Sequence, residues 1–298
     1  MGVAVRVWLL ALALSLVAAC AIASEPTPAP ARALVFGVQP YLTEPEMRDD
    51  FGPILAYLGK KLHQAVELKI VRDYADLGTQ MQADGVDVGM FGPLAYVEAA
   101  TEGYVEPLLA VKSHGSYYYH GVVVVRKDSR VVDLEGLRGR RFAFVDKQSA
   151  SGFLFPAALM AGLGIQPDAY FEEVRFLGNH PAVIAAVLDG RADGGATYHQ
   201  ALREQAARGV PVDQLTIVAE TGPIPIDVIA VRRNLDPDLK EKVRIALSEM
   251  GYRLEGQTVL AQSKLGRGGF APVGDKDFEI VRETIRLLAA MPPVLGKP

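Results

Sequence analysis

The segment most suited to chemistry is a polar, serine-rich loop that follows an apolar strand. Residues 141–145 are predicted to form the strand, and residues 146–152 form the loop that leads into a helix. Ser149 and Ser151 each offer a hydroxyl donor, and Gly152 lets a ligand approach the backbone. Because the first N–H groups of a helix are unpaired and partly positive, the pattern predicts a small-oxyanion site. The alternative is that Ser151 only caps the helix.

Two further strand-to-helix turns place polar side chains in similar positions. Residues 91–96 end a strand and begin a helix, so Tyr96 lies one turn in and is able to present its hydroxyl or ring to a cleft. Residues 178–180 repeat this arrangement, and His180 there is able to donate to an anion. The alternatives are a plain turn with a half-buried tyrosine and a simple helix cap.

One carboxylate falls where it needs a partner. Asp227 lies between Ile226 and Val228, at the entry to an apolar strand, and an unpaired acid there costs free energy. Facing an anion site, it repels a dianion and suits a ligand with a hydrogen-bond donor, such as a protonated oxyanion or an ammonium group. The alternative is a hinge aspartate that accepts from a backbone N–H.

Composition and absent motifs argue against several classes of protein. The chain has 298 residues and a net charge of −4, which argues against non-specific nucleic-acid binding. Its five histidines show no metal-ligand spacing, and the hydrolase, zinc-protease and P-loop motifs are missing. We therefore expect no catalytic residue, metal or cofactor. The one cysteine, Cys20, precedes the folded part, which leaves that part without a disulfide.

Strands and helices alternate along the chain that must position these residues. A strand at residues 34–38 opens a series of β-α units, with a helix predicted at residues 51–64 and a long helix at residues 237–253. A strand is expected at residues 215–219. This alternation predicts an α/β protein with mainly parallel sheets flanked by helices.

A long run of β-branched and aromatic residues at 117–126 interrupts the alternation of strands and helices and predicts a crossover into a second lobe. The chain returns near residue 225, and the ligand site is expected in the cleft between the lobes. Closure is expected about a hinge at residues 113–120 and 219–228. Lobe 1 is predicted to comprise residues 34–116 and 228–298, and lobe 2 residues 117–227.

The N-terminus is typical of a targeting segment followed by a tether. The apolar run at residues 7–17 is too short to span a bilayer and resembles the hydrophobic part of a signal peptide. A lipobox-like sequence at residues 17–20 predicts a lipoprotein signal peptide at residues 1–20 and acylation of Cys20. The proline-rich composition that follows predicts a tether at residues 21–33. The alternative is ordinary cleavage after Ala23. Both interpretations place the protein outside the cytoplasm.

Five segments of the chain follow one another in an order that is typical of a known family. They are residues 91–96, 125–129, 149–156, 178–180 and 225–232. Together they resemble the phosphate/phosphite/phosphonate (PhnD-like) substrate-binding proteins of ABC importers. The resemblance covers Leu34 to about Ala290 and implies a two-lobed type II periplasmic binding protein fold.

The resemblance also implies a set of ligand-binding residues. The family's Ser-Thr-Ser-Gly oxyanion segment, binding histidine, cleft aspartate and first-lobe aromatic residues match Ser149, Ala150, Ser151, Gly152, His180, Asp227, Tyr41 and Tyr96. Ala150 departs from the family pattern, which has threonine, and the lost donor costs roughly 1 kcal/mol if nothing replaces it. This predicts a smaller, less charged or different oxyanion.

The function implied is that of a monomeric extracytoplasmic receptor, not an enzyme. It closes its lobes on a phosphonate, phosphite or phosphate and delivers it to an ABC permease. One alternative is a sensor of the same fold that signals to a membrane histidine kinase. Another is an enzyme on this fold, such as a vitamin-precursor synthase, which needs a catalytic or metal cluster.

Overall fold

A computed structural model describes residues 32–112, 116–263 and 268–290 of the chain. The predicted signal peptide, Cys20, most of the tether and the hinge residues 113–115 lie outside the described residues. Within the described part, no helix combines the length and the apolar character needed to cross a membrane.

Strands and helices alternate through most of the described chain. The strands are β1 (Leu34–Val38), β2 (Val66–Ile70), β3 (Val88–Phe91), β4 (Val105–Val111), β5 (Tyr118–Arg126), β6 (Arg141–Phe144), β7 (Glu173–Phe176), β8 (Gly194–Tyr198), β9 (Leu215–Pro225), β10 (Val228–Arg232) and β11 (Phe270–Ala271). The helices are α1 (Glu44–Leu62), α2 (Tyr74–Gln82), α3 (Pro93–Thr101), α4 (Phe155–Gly162), α5 (Pro167–Tyr170), α6 (His180–Leu188), α7 (His199–Ala207), α8 (Pro237–Glu249), α9 (Leu254–Gln262) and α10 (Glu279–Ala289).

The strands form two separate sheets, each of which is the centre of one lobe. The first has the order β11-β4-β10-β3-β1-β2, and β10 and β11 run against the other four strands. The second has the order β7-β6-β8-β5-β9, in which only β5 is reversed. This confirms the predicted two-lobed α/β architecture with mainly parallel sheets. The first and second lobes are named below by these sheets.

The chain crosses between the sheets twice, and the two crossings lie side by side. Strands β5 and β9 pair with each other, and next to them the Ile226 N–H donates to the Tyr117 carbonyl (3.1 Å). The Val111 N–H then donates to the Asp227 carbonyl (2.8 Å). The hinge and the lobe boundaries predicted near these residues stay predictions.

Three element boundaries differ from the sequence prediction. Helix α1 begins at Glu44 rather than residue 51, because its first turns are polar and Thr43 donates to Glu46 as in a capping box. The predicted long helix 237–253 ends at Glu249 and is followed by a separate α9. Strand β9 extends to Pro225, which an edge strand tolerates.

The last helix packs on both lobes. Helix α10 contacts α3 in the first lobe and α4 and β9 in the second. Its Val281 is fully buried and belongs to one apolar cluster with Leu94 from the first lobe and with Phe155 and Ile224 from the second. Helix α10 lies within the residues predicted for lobe 1, and it also contacts elements of the second lobe.

We predict that Gly37→Ala destabilises the protein by about 1–3 kcal/mol through overpacking. In the middle of β1, a Cβ at this position lies 2.6 Å from Leu77 Cδ1 and 2.7 Å from Val86 Cγ1. Urea unfolding measures the change. The matched control is Gly52→Ala on the exposed face of α1, where a Cβ meets nothing within 4 Å and the better helix former stabilises by up to about 1 kcal/mol. Equal effects of the two substitutions would contradict the packing of α2 on β1.

Candidate functional site

The serine-rich loop folds into a tight turn before helix α4. Ser149 ends the extended segment, and its Oγ accepts a hydrogen bond from the Gly152 N–H at 3.0 Å. Residues 150–154 then form one wide π-type turn that leads into α4, a geometry that recurs at functional sites. Ser149 therefore caps the turn, and Ser151, the predicted cap in the alternative interpretation, is left for other contacts.

Only glycine fits at position 152. A Cβ there lies 2.5 Å from Val145 Cβ and 2.7 Å from Ser149 Oγ, both shorter than any tolerated contact. The Val145 N–H also donates to the Gly152 carbonyl at 3.1 Å. These contacts press the turn against the end of β6, so that both serines are buried, Ser149 at 3% and Ser151 at 2% exposure.

His180 begins helix α6 as a neutral, buried ring. Its Nδ1 lies 3.1 Å from Thr197 Oγ1, and its ring meets the edge of Tyr198 at 4.6 Å. Burial lowers the pKa of His180 to about 3, so the imidazole is uncharged at neutral pH and one ring nitrogen carries a proton. Its backbone N–H donates to the Tyr41 carbonyl (3.2 Å), which joins the second lobe to the first.

Asp227 is the centre of a group of tyrosines. Burial, and then the charge of Glu204, raise the pKa of Asp227 to about 7. Burial also raises the pKa of each of four phenols, and nearby carboxylates raise it further. After burial, the largest of these effects comes from Glu204 for two of the phenols, from Asp146 for one and from Asp227 for one, but Asp227 acts on all four. The four phenols that share this carboxylate belong to Tyr41, Tyr74, Tyr119 and Tyr198.

Two of these tyrosines connect Asp227 to the serine turn. The Tyr74 hydroxyl lies near Ser149, whose hydroxyl partly offsets the rise in the pKa of Tyr74, yet the Tyr74 hydroxyl completes no hydrogen bond among the described residues. The Ser151 hydroxyl has the same effect on the pKa of Tyr119. Tyr74 and Tyr119 therefore each interact both with the predicted oxyanion segment and with the predicted cleft aspartate.

Tyr41 and Tyr96, the two predicted first-lobe aromatic residues, have different surroundings. Tyr41 joins the Asp227 group, and its buried hydroxyl has no hydrogen-bond partner among the described residues. The Tyr96 hydroxyl instead donates to Asp275 Oδ1 (2.8 Å), and its ring packs on Phe278 with centroids 4.5 Å apart. The geometry thus gathers Tyr41 with the other site residues and directs Tyr96 away from them, toward the C-terminal segment.

Ala150 offers only a methyl group to this site. It is 3% exposed and lies in the apolar cluster with Leu154 and Phe155. The turn therefore has the serine hydroxyls and backbone N–H groups as its donors, without the third side-chain donor that the sequence resemblance implies at this position.

Four residues of this group were missed by the sequence reasoning. Tyr74 and Tyr198 each stand where a strand gives way to a helix, the signal that identified His180, but their rings were not distinguished from core residues. Tyr119 lies in the aromatic run at residues 117–126, which predicted only a crossover, and Glu204 lies in the middle of α7 without a local signal. The missed residues are Tyr74, Tyr119, Tyr198 and Glu204.

The described residues contain no group of three or more His, Cys, Asp or Glu side chains arranged to hold a metal ion. The candidate site instead combines neutral hydroxyls, a neutral imidazole and helix N-termini with the carboxyl group of Asp227, and Glu204 and Asp146 also act on its phenols. Such a set binds a small anion by directed hydrogen bonds.

Comparison with known proteins decides the family. A sequence profile described as that of the periplasmic substrate-binding protein of phosphonate ABC transporters matches residues 36–278. The chain belongs to this family. The predicted resemblance and the type II periplasmic binding protein fold are thereby confirmed, and import is supported over the signalling alternative. The family comprises extracytoplasmic transport proteins rather than enzymes.

Three members or structural relatives show the extent of the similarity. The chain is 27% identical over 265 residues to the phosphate-import protein PhnD of Mycolicibacterium smegmatis, covering 82% of both chains. The fold is similar to that of the binding protein component of a phosphonate ABC transporter from Pseudomonas aeruginosa, with a TM-score of 0.81, 23% identity and coverage of 89% and 90%. It is also similar to PhnD1 from Prochlorococcus marinus in complex with methylphosphonate, with a TM-score of 0.76, 20% identity and coverage of 87% and 99%.

Removing the two phenol hydroxyls is expected to have opposite effects on the stability of the ligand-free protein. Tyr96→Phe loses the hydrogen bond to Asp275 and lowers the free energy of unfolding by about 1 kcal/mol. Tyr41→Phe removes a buried hydroxyl that lacks a partner and leaves the stability unchanged or higher. Each variant is the other's control in urea unfolding. A destabilised Tyr41→Phe protein would show that this hydroxyl is satisfied without ligand.

The stability that depends on Asp227 should fall as the pH rises. Its carboxyl keeps its proton up to about pH 7 in the folded protein but releases it near pH 4 when unfolded. Because the folded state binds more protons between these values, the contribution is largest at the acidic end and is lost as the pH passes through 7.

The measurement is urea unfolding of the wild type and Asp227→Asn at several pH values from 5 to 8. The asparagine variant does not titrate there, so the difference in unfolding free energy, wild type minus variant, should decrease with rising pH. A constant difference across this range would refute the raised pKa of Asp227.

Proposed function

We propose that the protein captures a small phosphorus oxyanion between its lobes and presents it to the ABC permease. The observation that carries this proposal is the Ser149–Gly152 turn, with two buried hydroxyls at a helix start. The buried hydroxyls of Tyr41 and Tyr74 add to it, because they have no hydrogen-bond partner within the described part of the chain. Ser149 accepts from the Gly152 N–H and keeps its own proton for a ligand oxygen. Ser151 and the backbone N–H groups of the turn supply further donors.

His180 adds a neutral donor. If Nδ1 accepts the Thr197 hydroxyl proton, the other ring nitrogen carries the hydrogen and donates it to the anion. A neutral ring fits this role because burial disfavours the imidazolium form. Tyr41 and Tyr74 contribute the first-lobe hydroxyls, and their contacts with the ligand form as the lobes close.

Asp227 selects the protonation state of the ligand. Asp227 interacts with the same tyrosines as the serine turn. When Asp227 is ionised, it repels a ligand oxygen without a hydrogen and accepts from an O–H or N–H group. The rise in the pKa of Asp227 and of Glu204 to about 7 shows that this region already disfavours negative charge. A monoanionic or aminated ligand is therefore preferred over a full dianion.

The names of the relatives support phosphorus oxyanions as the ligand class. One relative is a phosphate-import protein, and a structural relative holds methylphosphonate. Ala150 removes one side-chain donor from the turn, so we expect a ligand that presents fewer oxygens there, such as a phosphonate or phosphite, to lose less affinity than phosphate.

Lipid anchoring and oligomeric state are further parts of the proposal. We propose that Cys20 is acylated and that the proline-rich residues 21–33 hold a monomeric receptor away from the membrane. The support is the lipobox-like sequence and the spacer composition.

Thermal unfolding with a panel of anions tests the proposal. The panel is phosphate, phosphite, methylphosphonate, 2-aminoethylphosphonate and sulfate, and a ligand present at 100 times its Kd stabilises the folded state by about 2.7 kcal/mol. We expect a large shift with one phosphorus oxyanion and none with sulfate, which carries no proton at neutral pH. Ser151→Ala should abolish the shift.

The control for this substitution is Ser248→Ala on helix α8 in the first lobe, which should leave the shift intact. Shifts with none of the phosphorus oxyanions would reject this ligand class. An unchanged shift in Ser151→Ala would reject the serine turn as the site.

A further inference from the structure

A buried polar contact joins the two lobes at a distance from the serine turn. The Gln205 Nε2 on α7 of the second lobe donates to Glu46 Oε1 on α1 of the first lobe at 2.8 Å. Beside it, Arg208 Nε lies 2.9 Å from the same oxygen, and Arg208 Nη2 lies 3.6 Å from Asp50 Oδ2. Glu46, Asp50 and Gln205 are all buried. This contact is therefore an internal one and not a surface ion pair.

Each half of the contact is fixed within its own lobe. Helix α1 packs on β2, α8 and α9, and helix α7 on β5, β8 and α6. Glu46 Oε2 accepts from the Thr43 N–H (2.9 Å) and the Thr43 hydroxyl (2.6 Å), which leaves Oε1 directed to the other lobe. The acceptor is thus positioned before the lobes meet.

Arg208 supplies a positive charge beside three carboxyl groups, those of Glu46, Asp50 and Glu204. Burial raises the pKa of Glu204, the charges of Asp50 and Glu46 raise it further, and Arg208 lowers it. Burial alone would also raise the pKa of Glu46, but hydrogen bonds from Thr43 and Gln205 and the Arg208 charge bring it below its usual value. Without Arg208, closing the lobes brings Glu204 toward Glu46 and Asp50 with no positive charge between them.

The contact is an ion pair rather than a set of ideal hydrogen bonds. Neither Nε nor Nη2 of Arg208 completes a directed hydrogen bond to its acceptor, although the Nε–Oε1 distance is short. The directed bond comes from Gln205. Gln205 on α7 therefore supplies the directed hydrogen bond, and Arg208, which directly follows α7, supplies the positive charge.

We infer that Arg208 and Gln205 are positioning residues for ligand binding, which latch α7 to Glu46 and Asp50 on α1 and so set how long a bound oxyanion stays in the cleft. The inference rests on the proposed function for the identity of the ligand. The latch forms when the lobes close and opens when they part, and neither side chain touches the ligand.

The test compares two ion pairs of similar burial. Arg208 and Glu46 join the two lobes with side chains 18% and 11% exposed, whereas Arg232 and Asp87 lie within the first lobe at 15% and 2%, with an Nε–Oδ1 distance of 2.9 Å. Arg208→Ala, Gln205→Ala and Arg232→Ala are compared with the wild type. Stopped-flow fluorescence gives the association and dissociation rates with the oxyanion that stabilises the wild type, and thermal unfolding gives the ligand-free stability.

We expect the Arg208–Glu46 pair to affect the dissociation rate of the ligand, and the Arg232–Asp87 pair to affect the ligand-free stability. Arg208→Ala should raise the dissociation rate roughly ten-fold or more and leave ligand-free stability unchanged, because the contact is absent in the open state. Gln205→Ala should act in the same direction, and Arg208→Lys should restore part of the residence time. Arg232→Ala should lower the ligand-free unfolding temperature by several degrees with an unchanged dissociation rate.

Two results would overturn the latch. One is an unchanged dissociation rate in both Arg208→Ala and Gln205→Ala. The other is a fall in ligand-free stability of Arg208→Ala equal to that of Arg232→Ala, which would show that α1 and α7 stay together when the cleft is empty.

Failure of the proposed function has a separate signature. If no phosphorus oxyanion binds the wild type, the latch is measured without ligand from the minor closed population. Double electron–electron resonance between nitroxides at Glu67→Cys and Asp213→Cys, in a Cys20→Ala background, measures the distance between the lobes. Arg208→Ala should remove the short-distance population, and an identical distribution in wild type and variant would reject the latch.

Discussion

The chain passes between its two sheets twice, and the backbone of one passage hydrogen-bonds to the backbone of the other. The Ile226 N–H donates to the Tyr117 carbonyl, and one residue later the Asp227 carbonyl accepts from Val111. Because both backbone positions are fixed in this way, the Asp227 side chain has its place at the junction and not within either sheet. The tyrosines that interact with Asp227 come from both lobes, and two of them also interact with the serine turn.

This position explains the unusual charge balance of the site. The protein has a net charge of −4 and a carboxylate at the centre of the cleft, yet the surrounding groups are suited to an anion. Hydroxyls, helix N-terminal N–H groups and a neutral imidazole bind an anion through oriented dipoles, without adding a second net charge that must also be desolvated. In the proposed function, the ionised Asp227 carboxylate then discriminates among anions by their protons, so that affinity and selection come from different groups.

The parts of this site that the sequence predicts are local ones. The Ser149–Gly152 turn and His180 stand directly after apolar strands, so strand-to-helix patterning is enough to find them. Tyr96 stands in the same kind of position, but its hydroxyl bonds to Asp275, which is 179 residues away in sequence, and no local pattern carries that information. Glu204 was missed for the same reason, since its role depends on Asp227 and on α1 from the other lobe. Helix α1 was predicted to begin too late because its first two turns lack an apolar period and are defined by a capping interaction.

The packing of α10 on both lobes gives the opening of the cleft a hydrophobic component. A helix in contact with α3 on one side and with α4 and β9 on the other cannot keep both surfaces covered while the lobes move apart. Opening therefore exposes apolar surface around Val281, Phe155 and Ile224 to water, and exposed apolar surface increases the heat capacity. The heat capacity of ligand binding then contains a large negative part that comes from the protein covering its own surface, and not from the small polar ligand.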